Sequence, residues 1–182
     1  MLEKLILTQT IVEIGLLNNI NNNVLKKHCL KYEKNILRKR GKLKTDTLSE
    51  DSDIPTHKEI EKMLNCINEI YYKQHSKNLI LKEFWGHIHQ HNHSTTLHHH
   101  AIVTDLKNSP DISGVYYVNV PKNAGVIVFQ YNVNQYLEKR HWIQPKNGLF
   151  ILFPSTLLHF VTRNESKEKR ISISFNFNLK ND

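Results

Sequence analysis

"RISISFNFNL", residues 170–179, alternates polar and apolar side chains from end to end. Successive side chains of an extended strand point to opposite faces. Arg170, Ser172, Ser174 and Asn176 therefore share one face, and Ile171, Ile173, Phe175 and Phe177 share the other. A strand with two such unlike faces divides an apolar core from something polar. An arginine heading the polar face suits either a wet cavity or a surface pair with Glu165 or Glu168.

Working back along the chain, short apolar runs recur between turn residues. They are "LKEFWGHIH" (81–89), "HHAIV" (99–103), "ISGVYYVNV" (112–120), "GVIVFQY" (125–131), "LFILF" (149–153) and "LLHFVTR" (157–163). Pro110, Pro121, Gly125, Pro145, Gly148 and Pro154 punctuate them. From about 20 to 78 the texture is helical instead. Val24, Leu30, Ile36 and Leu37 recur at helical spacing. After the start signals Pro55 and Thr56, so do Ile60, Met63, Leu64, Ile67, Ile70 and Tyr71. A polar loop, "GKLKTDTLSEDSDIP" (41–55), separates the two. Helices followed by evenly spaced strands predict an α+β fold, an antiparallel barrel or sandwich with helices outside. We expect one domain over 1–182, with strand and helical support in 1–80 and the β core in 81–180. The apolar N-terminal strand within "LILTQTIVEIGLL" (5–17) is available to cover a sheet edge or pair with a second copy.

Bulk properties narrow the class. The chain has 182 residues, 39% of them hydrophobic, so it can bury a core. No apolar run is long enough to span a bilayer, and "MLEKLILTQT" lacks the plan of a signal peptide. Cys29 and Cys66 form neither a disulfide framework nor a metal spacing. A cytoplasmic location without membrane association is expected. The net charge of +8 raises nucleic acid as a partner. The densest basic run, "LRKRGKLK" (37–44), sits near the acidic "SEDSD" (49–53), and a solvated surface explains it better.

The chemistry concentrates in "HSTTLHHHAIVTD" (93–105). On a strand, His98 and His100 project the same way and supply half a metal site; His159 in "FPSTLLHFVTR" is the best third ligand. Imidazole suits iron, zinc, copper or nickel. His87, His89, His91 and His93 alternate nearby, so histidine richness alone proves little. Arg170 strengthens the case, because a fixed guanidinium grips a carboxylate with two parallel hydrogen bonds. A metal, an arginine and Ser172 converging in one cavity describe a chelating dicarboxylate.

As an ordered set, Trp85, His98-x-His100, "ISGVYYVNVP" (112–121), "PKNGLFILFPSTLLHFV" (145–161) and "RISISFNF" (170–177) resemble the iron(II)/2-oxoglutarate-dependent oxygenases. The likeness is to a branch of small phage and bacterial members akin to prolyl hydroxylases, and covers about 80–180. It implies a double-stranded β-helix, a jelly-roll or cupin-like barrel. It also implies Fe(II) held by His98, His100 and His159, with O2 and 2-oxoglutarate as cosubstrates. Arg170 and Ser172 would grip the distal carboxylate of 2-oxoglutarate, and Tyr117 would hydrogen-bond it. Trp85 is expected to anchor the core. The usual family pattern is H-x-D or H-x-E, so His100 is a departure. Asp105 is the alternative third ligand, since H-x-H-x₄-D echoes the cupin metal motif.

The implied activity is that of a dioxygenase which hydroxylates a peptide, a protein side chain or a small metabolite. Residues 104–112 and 132–144 are the expected closing loops, with His87, Tyr136, Arg140, His141 and Trp142 as substrate contacts. Two alternatives remain at this stage: a nucleic-acid oxidative demethylase, or a non-catalytic cupin-like binding module. The first would show DNA or RNA affinity that falls steeply with salt.

Overall fold

The computed structural model describes residues 10–33, 45–46 and 54–180. Ile36, Leu37, the basic run at 37–44, the acidic run at 49–53 and the start of the N-terminal strand lie outside them. Two helices are described, α1 (Asn22–Lys31) and α2 (Lys58–His75). The ten strands are β1 (Glu13–Leu16), β2 (Thr45–Asp46), β3 (Leu79–His89), β4 (Ser94–His98), β5 (Ile112–Asn119), β6 (Ile127–Asn134), β7 (Leu137–Ile143), β8 (Leu149–Pro154), β9 (Leu158–Val161) and β10 (Arg170–Leu179). They form two sheets, one ordered β1-β8-β5-β10-β3 and the other β2-β4-β9-β6-β7. Every pairing is antiparallel except the short β2–β4 contact, so part of the expected polar loop is a strand. This is the double-stranded β-helix architecture, open at its edges. The sheets do not close into a barrel, because each ends on strands with no further partner among the described residues.

The alternation of β10 decides how the layers stack. Ile171, Ile173, Phe175 and Phe177 face the helices, where they join Leu25 and Cys29 of α1 and the α2 stripe Ile60, Met63, Leu64, Ile67 and Tyr71. Ile70, expected in that stripe, is 39% exposed. Side chains of this size gain about 1.5–3 kcal/mol each on full burial, which holds the helices to the sheet. The opposite face of the sheet looks onto the second sheet, with Val115, Tyr117, Ile151 and Phe153 meeting Ile127, Phe129 and Val161.

Helix ends are satisfied locally. The Asn21 side chain accepts from the Val24 amide at 3.2 Å, and His57 Nδ1 accepts from the Glu59 amide at 3.0 Å. Ser76 closes α2 in the left-handed region at φ 55°.

One glycine is dictated by packing. Gly114 lies opposite Phe175 in the β5–β10 register, and a Cβ there would fall 2.2 Å from a Phe175 ring carbon and 2.9 Å from the Ile151 carbonyl oxygen. We expect Gly114→Val to destabilise the protein by about 1–3 kcal/mol or more, read as a lowered denaturant midpoint.

Candidate metal and cosubstrate site

Two strands and one loop bring the predicted histidines together. His98 is the last residue of β4 and lies opposite His159 of β9. Residues 99–103 do not form the expected strand; the chain leaves the sheet after His98. His100 reaches the same place differently. Its amide donates to the Ser155 carbonyl at 2.8 Å, while the Ser155 amide donates to the Asp111 carbonyl at 3.1 Å and its hydroxyl to the Pro110 carbonyl. Buried Ser155 thus staples both ends of the 99–111 loop to the β8–β9 turn. Nothing in the sequence pattern singled it out.

One ring nitrogen from each of His98, His100 and His159 lies within 4.8 Å of the others. His159 Nδ1 donates to the Leu157 carbonyl at 2.9 Å, and His98 Nδ1 donates to the Thr96 carbonyl at 2.6 Å. Each bond fixes the tautomer and turns the Nε2 lone pair toward the cluster, the usual support of a metal-bound imidazole. The His100 and His159 Nε2 atoms are 3.3 Å apart. Two nitrogens each ~2.1 Å from one ion span such a distance, so the donor set fits a transition metal.

Asp105 is not brought to this cluster. One of its carboxylate oxygens accepts from the Asn108 amide at 3.3 Å and the other from the Asn108 side chain at 2.6 Å. It caps a single turn of 3-10 helix (Leu106–Asn108) on the surface, as a short acidic side chain does readily.

Behind the histidines a narrow cavity runs between the sheets. The β10 register builds its wall: Arg170 lies opposite His89, and Ser172 lies between His87 of β3 and Tyr117 of β5. Arg170, Ser172, Tyr117 and His87 all line it, as does Ser174. The fourth member of the polar face does not. Asn176 is buried further along, accepting from the Ser113 hydroxyl and donating to Glu83, both at 2.6 Å. Trp85 is buried as expected; its indole N–H donates to His87 Nε2 at 2.7 Å and its ring packs 5.5 Å from that of His100.

Arg170 is 1% exposed and lies over the Tyr117 ring at 5.1 Å, without a carboxylate partner among the described residues. Among the described residues its Nε–H and the Tyr117 hydroxyl, both buried, have no hydrogen-bond partner. Two orphaned donors in one cavity are costly unless an acceptor arrives. A carboxylate supplies that acceptor, and the residues present therefore fit a dicarboxylate cosubstrate.

The remaining substrate candidates lie elsewhere. Residues 132–144 are not a loop; β6 and β7 form a hairpin in which Ile127 pairs with Ile143 and Phe129 with His141. Ile143 packs inward, so alternation turns His141 and Lys139 inward and Trp142 and Arg140 outward. Arg140 accordingly donates to Gln130 at 3.1 Å and covers the Phe160 ring on the outer face. Trp142 is exposed there, and Tyr136 is 88% exposed at the hairpin turn.

Burial sets the charge of the imidazoles. Desolvation first, then the nearby His98, pushes His159 down to about 3, with the Leu157 carbonyl pulling partly back. Desolvation, followed by His159, His98 and the other histidines, also holds His100 well below its ordinary value. Both are neutral near pH 7, the state that binds metal. An unfolded histidine takes up a proton below ~6.5, whereas buried His159 resists until about 3. Stability should therefore fall as pH drops through that window, by up to ~1.4 kcal/mol per pH unit for each such histidine. Thermal unfolding of the metal-free protein between pH 7 and 4 checks this; an unchanged midpoint would count against buried neutral imidazoles.

Residues 83–176, just over half of the chain, match the family described as "Putative 2OG-Fe(II) oxygenase". No curated protein matches in sequence. Among solved structures the chain is similar to the non-heme alpha-ketoglutarate-dependent carbocyclase SnoK of nogalamycin biosynthesis (TM-score 0.64, 12% identity, 91% of this chain and 78% of that one). It is also similar to a Pseudomonas putida prolyl-4-hydroxylase (0.58, 13%, 92% and 87%). A third is a Trichoplax adhaerens prolyl hydroxylase in complex with a hypoxia-inducible-factor peptide fragment (0.56, 14%, 90% and 82%). At such identities these three bear on the fold. Among the described residues no helix is long and apolar enough to cross a membrane. With its sequence matched over the β core, the chain belongs to the 2OG-Fe(II) oxygenases, a family that works with Fe(II), 2-oxoglutarate and O2.

Proposed function

We propose that this oxygenase is a hydroxylase of a peptide, a protein side chain or a small metabolite. His98, His100 and His159 would hold the Fe(II) through Nε2, and Arg170, with Tyr117 and Ser172, would hold the distal carboxylate of 2-oxoglutarate. The observation that carries this reading is the pair of orphaned donors, Arg170 Nε and the Tyr117 hydroxyl, buried in a cavity behind three converging imidazoles. When bound, the iron and cosubstrate supply the oxidising power, coupling decarboxylation of 2-oxoglutarate to succinate with oxidation of a C–H bond.

The chain's own residues bind, orient and exclude. Leu157 and Thr96 carbonyls aim two imidazoles; Ser155 holds the third in reach. Three neutral ligands leave the ion's full charge for anionic cosubstrate groups. Phe129 and Phe153 pack against His159, with ring centroids 6.0 and 4.7 Å away, and keep that side dry. β6 pairs with β9 only over Ile127–Gln130, and the rest of the hairpin overhangs the histidine end of that strand. Its inner side presents Tyr131, Lys139 and His141, which suit a substrate with polar or anionic groups. The prolyl hydroxylases among the structural neighbours support a peptide substrate, and SnoK supports a small one.

Anaerobic titration of the purified protein with Fe(II) and then 2-oxoglutarate tests the reading. The visible charge-transfer band of the chelate should appear only with both, and air should then yield succinate. Absence of the band at saturating concentrations would refute it.

A further inference from the structure

The partners of Arg170 raise a question that the cosubstrate alone does not answer: what aims a buried guanidinium before an anion arrives? Among the described residues it meets no acid. Its Nη1 lies 3.2 Å from Nδ1 of His89, which is itself 2% exposed and directly opposite Arg170 in the β3–β10 register. A guanidinium only donates, so His89 Nδ1 must present a lone pair. Its proton then sits on Nε2, and Nε2 is 2.9 Å from the hydroxyl of Thr95, which accepts. Thr95 belongs to β4, three residues before His98, in the facing sheet. A relay of hydrogen bonds therefore crosses the cavity, from the strand that ends on His98 to the arginine.

We propose that His89 is a positioning residue for cosubstrate binding, a neutral imidazole held as its Nε2–H tautomer that fixes the rotamer of Arg170. Engaging Nη1 leaves the side-on edge of the guanidinium, Nε and Nη2, for a carboxylate, and Nε is the atom without a partner. The proposal rests on the reading of Arg170 as the carboxylate grip. Histidine serves better here than an acid, because a carboxylate at 89 would neutralise Arg170 and compete with the incoming anion.

The test compares full-length variants by anaerobic 2-oxoglutarate titration of Fe(II)-loaded protein, with Fe(II) affinity measured separately by metal competition. His89→Leu removes the acceptor and should weaken 2-oxoglutarate binding about 10- to 100-fold. Fe(II) affinity should stay within about two-fold, since no ligand is touched. His89→Asn, whose side-chain oxygen can stand where Nδ1 stood, should recover most of the loss. A merely structural role would weaken iron and cosubstrate binding together and give no recovery, and that outcome overturns the proposal. So does a folded His89→Leu protein with unchanged 2-oxoglutarate affinity. If His89→Leu does not fold, Thr95→Val removes the Nε2 anchor instead; weakening by about three-fold or more supports the relay and no change overturns it. Arg170→Met, run alongside, separates the two failures. If it also binds 2-oxoglutarate normally, the grip and the relay fall together; if it alone loses binding, only the relay falls.

Discussion

Substituting His159 with Ala should leave a folded protein that no longer retains iron and forms no succinate from 2-oxoglutarate. His159 lies close to both other imidazoles: its Nε2 is 3.3 Å from that of His100, and its ring centroid is 4.2 Å from that of His98. Losing one of three ligands should exceed the ~10–100-fold cost in metal affinity typical of losing only an outer-shell partner. Equilibrium dialysis against Fe(II) measures the first effect, and succinate formation in air measures the second. Losing the buried ring costs packing against Phe129 and Phe153, but its one backbone hydrogen bond is to Leu157 two residues away and the pairing of β9 with β4 and β6 does not depend on it, so the fold should persist. Turnover surviving in His159→Ala would remove the ligand assignment altogether.

Replacing Arg170 with Met should separate function from stability. Truncating one partner of a buried charge pair costs ~2–5 kcal/mol, so 2-oxoglutarate affinity should drop about 30- to 4,000-fold. Iron binding should be nearly unaffected, since the guanidinium is not part of the histidine cluster. The stability effect should be small. In the absence of an anion Arg170 is a buried cation with no carboxylate beside it among the described residues, and an apolar side chain of similar volume avoids that desolvation. The metal-free variant should therefore melt close to the parent protein, relief of the buried charge offsetting loss of the hydrogen bond to His89. Differential scanning calorimetry reads this directly; a clearly lower midpoint would mean that Arg170 is chiefly a structural residue.

Much of this was legible along the chain. The alternation in 170–177 announced two unlike faces, and the structure places helices against the apolar one and a cavity against Arg170, Ser172 and Ser174. The helical stripe of α2 was equally plain, since five of its apolar positions are buried on one side. What escaped depends on chain segments meeting at long separation. Strand periodicity says which residues share a face; it does not say which strand lies beside which. The pairing of Arg170 with His89, eighty-one positions earlier, is such a register fact. The convergence of His98 and His100 was anticipated for the wrong local reason. Alternation on one strand does not place them together; a loop tethered by Ser155 does. Residues 132–144 looked like a loop because β7 is charged and exposed over most of its length. An edge strand that projects past its neighbours has little to bury, and so lacks the apolar pattern by which strands are recognised.

That projecting hairpin has a consequence for how such an oxygenase can diversify. Gln130 is the last β6 residue paired with β9, and among the described residues the stretch from Tyr131 to the return at Lys139 has its strand pairings within the hairpin itself. Insertions, deletions or wholesale exchange of that tip should leave the reactive centre undisturbed. The molecule thus behaves as a fixed engine with a replaceable nozzle, in which new clientele can be acquired without retuning the chemistry.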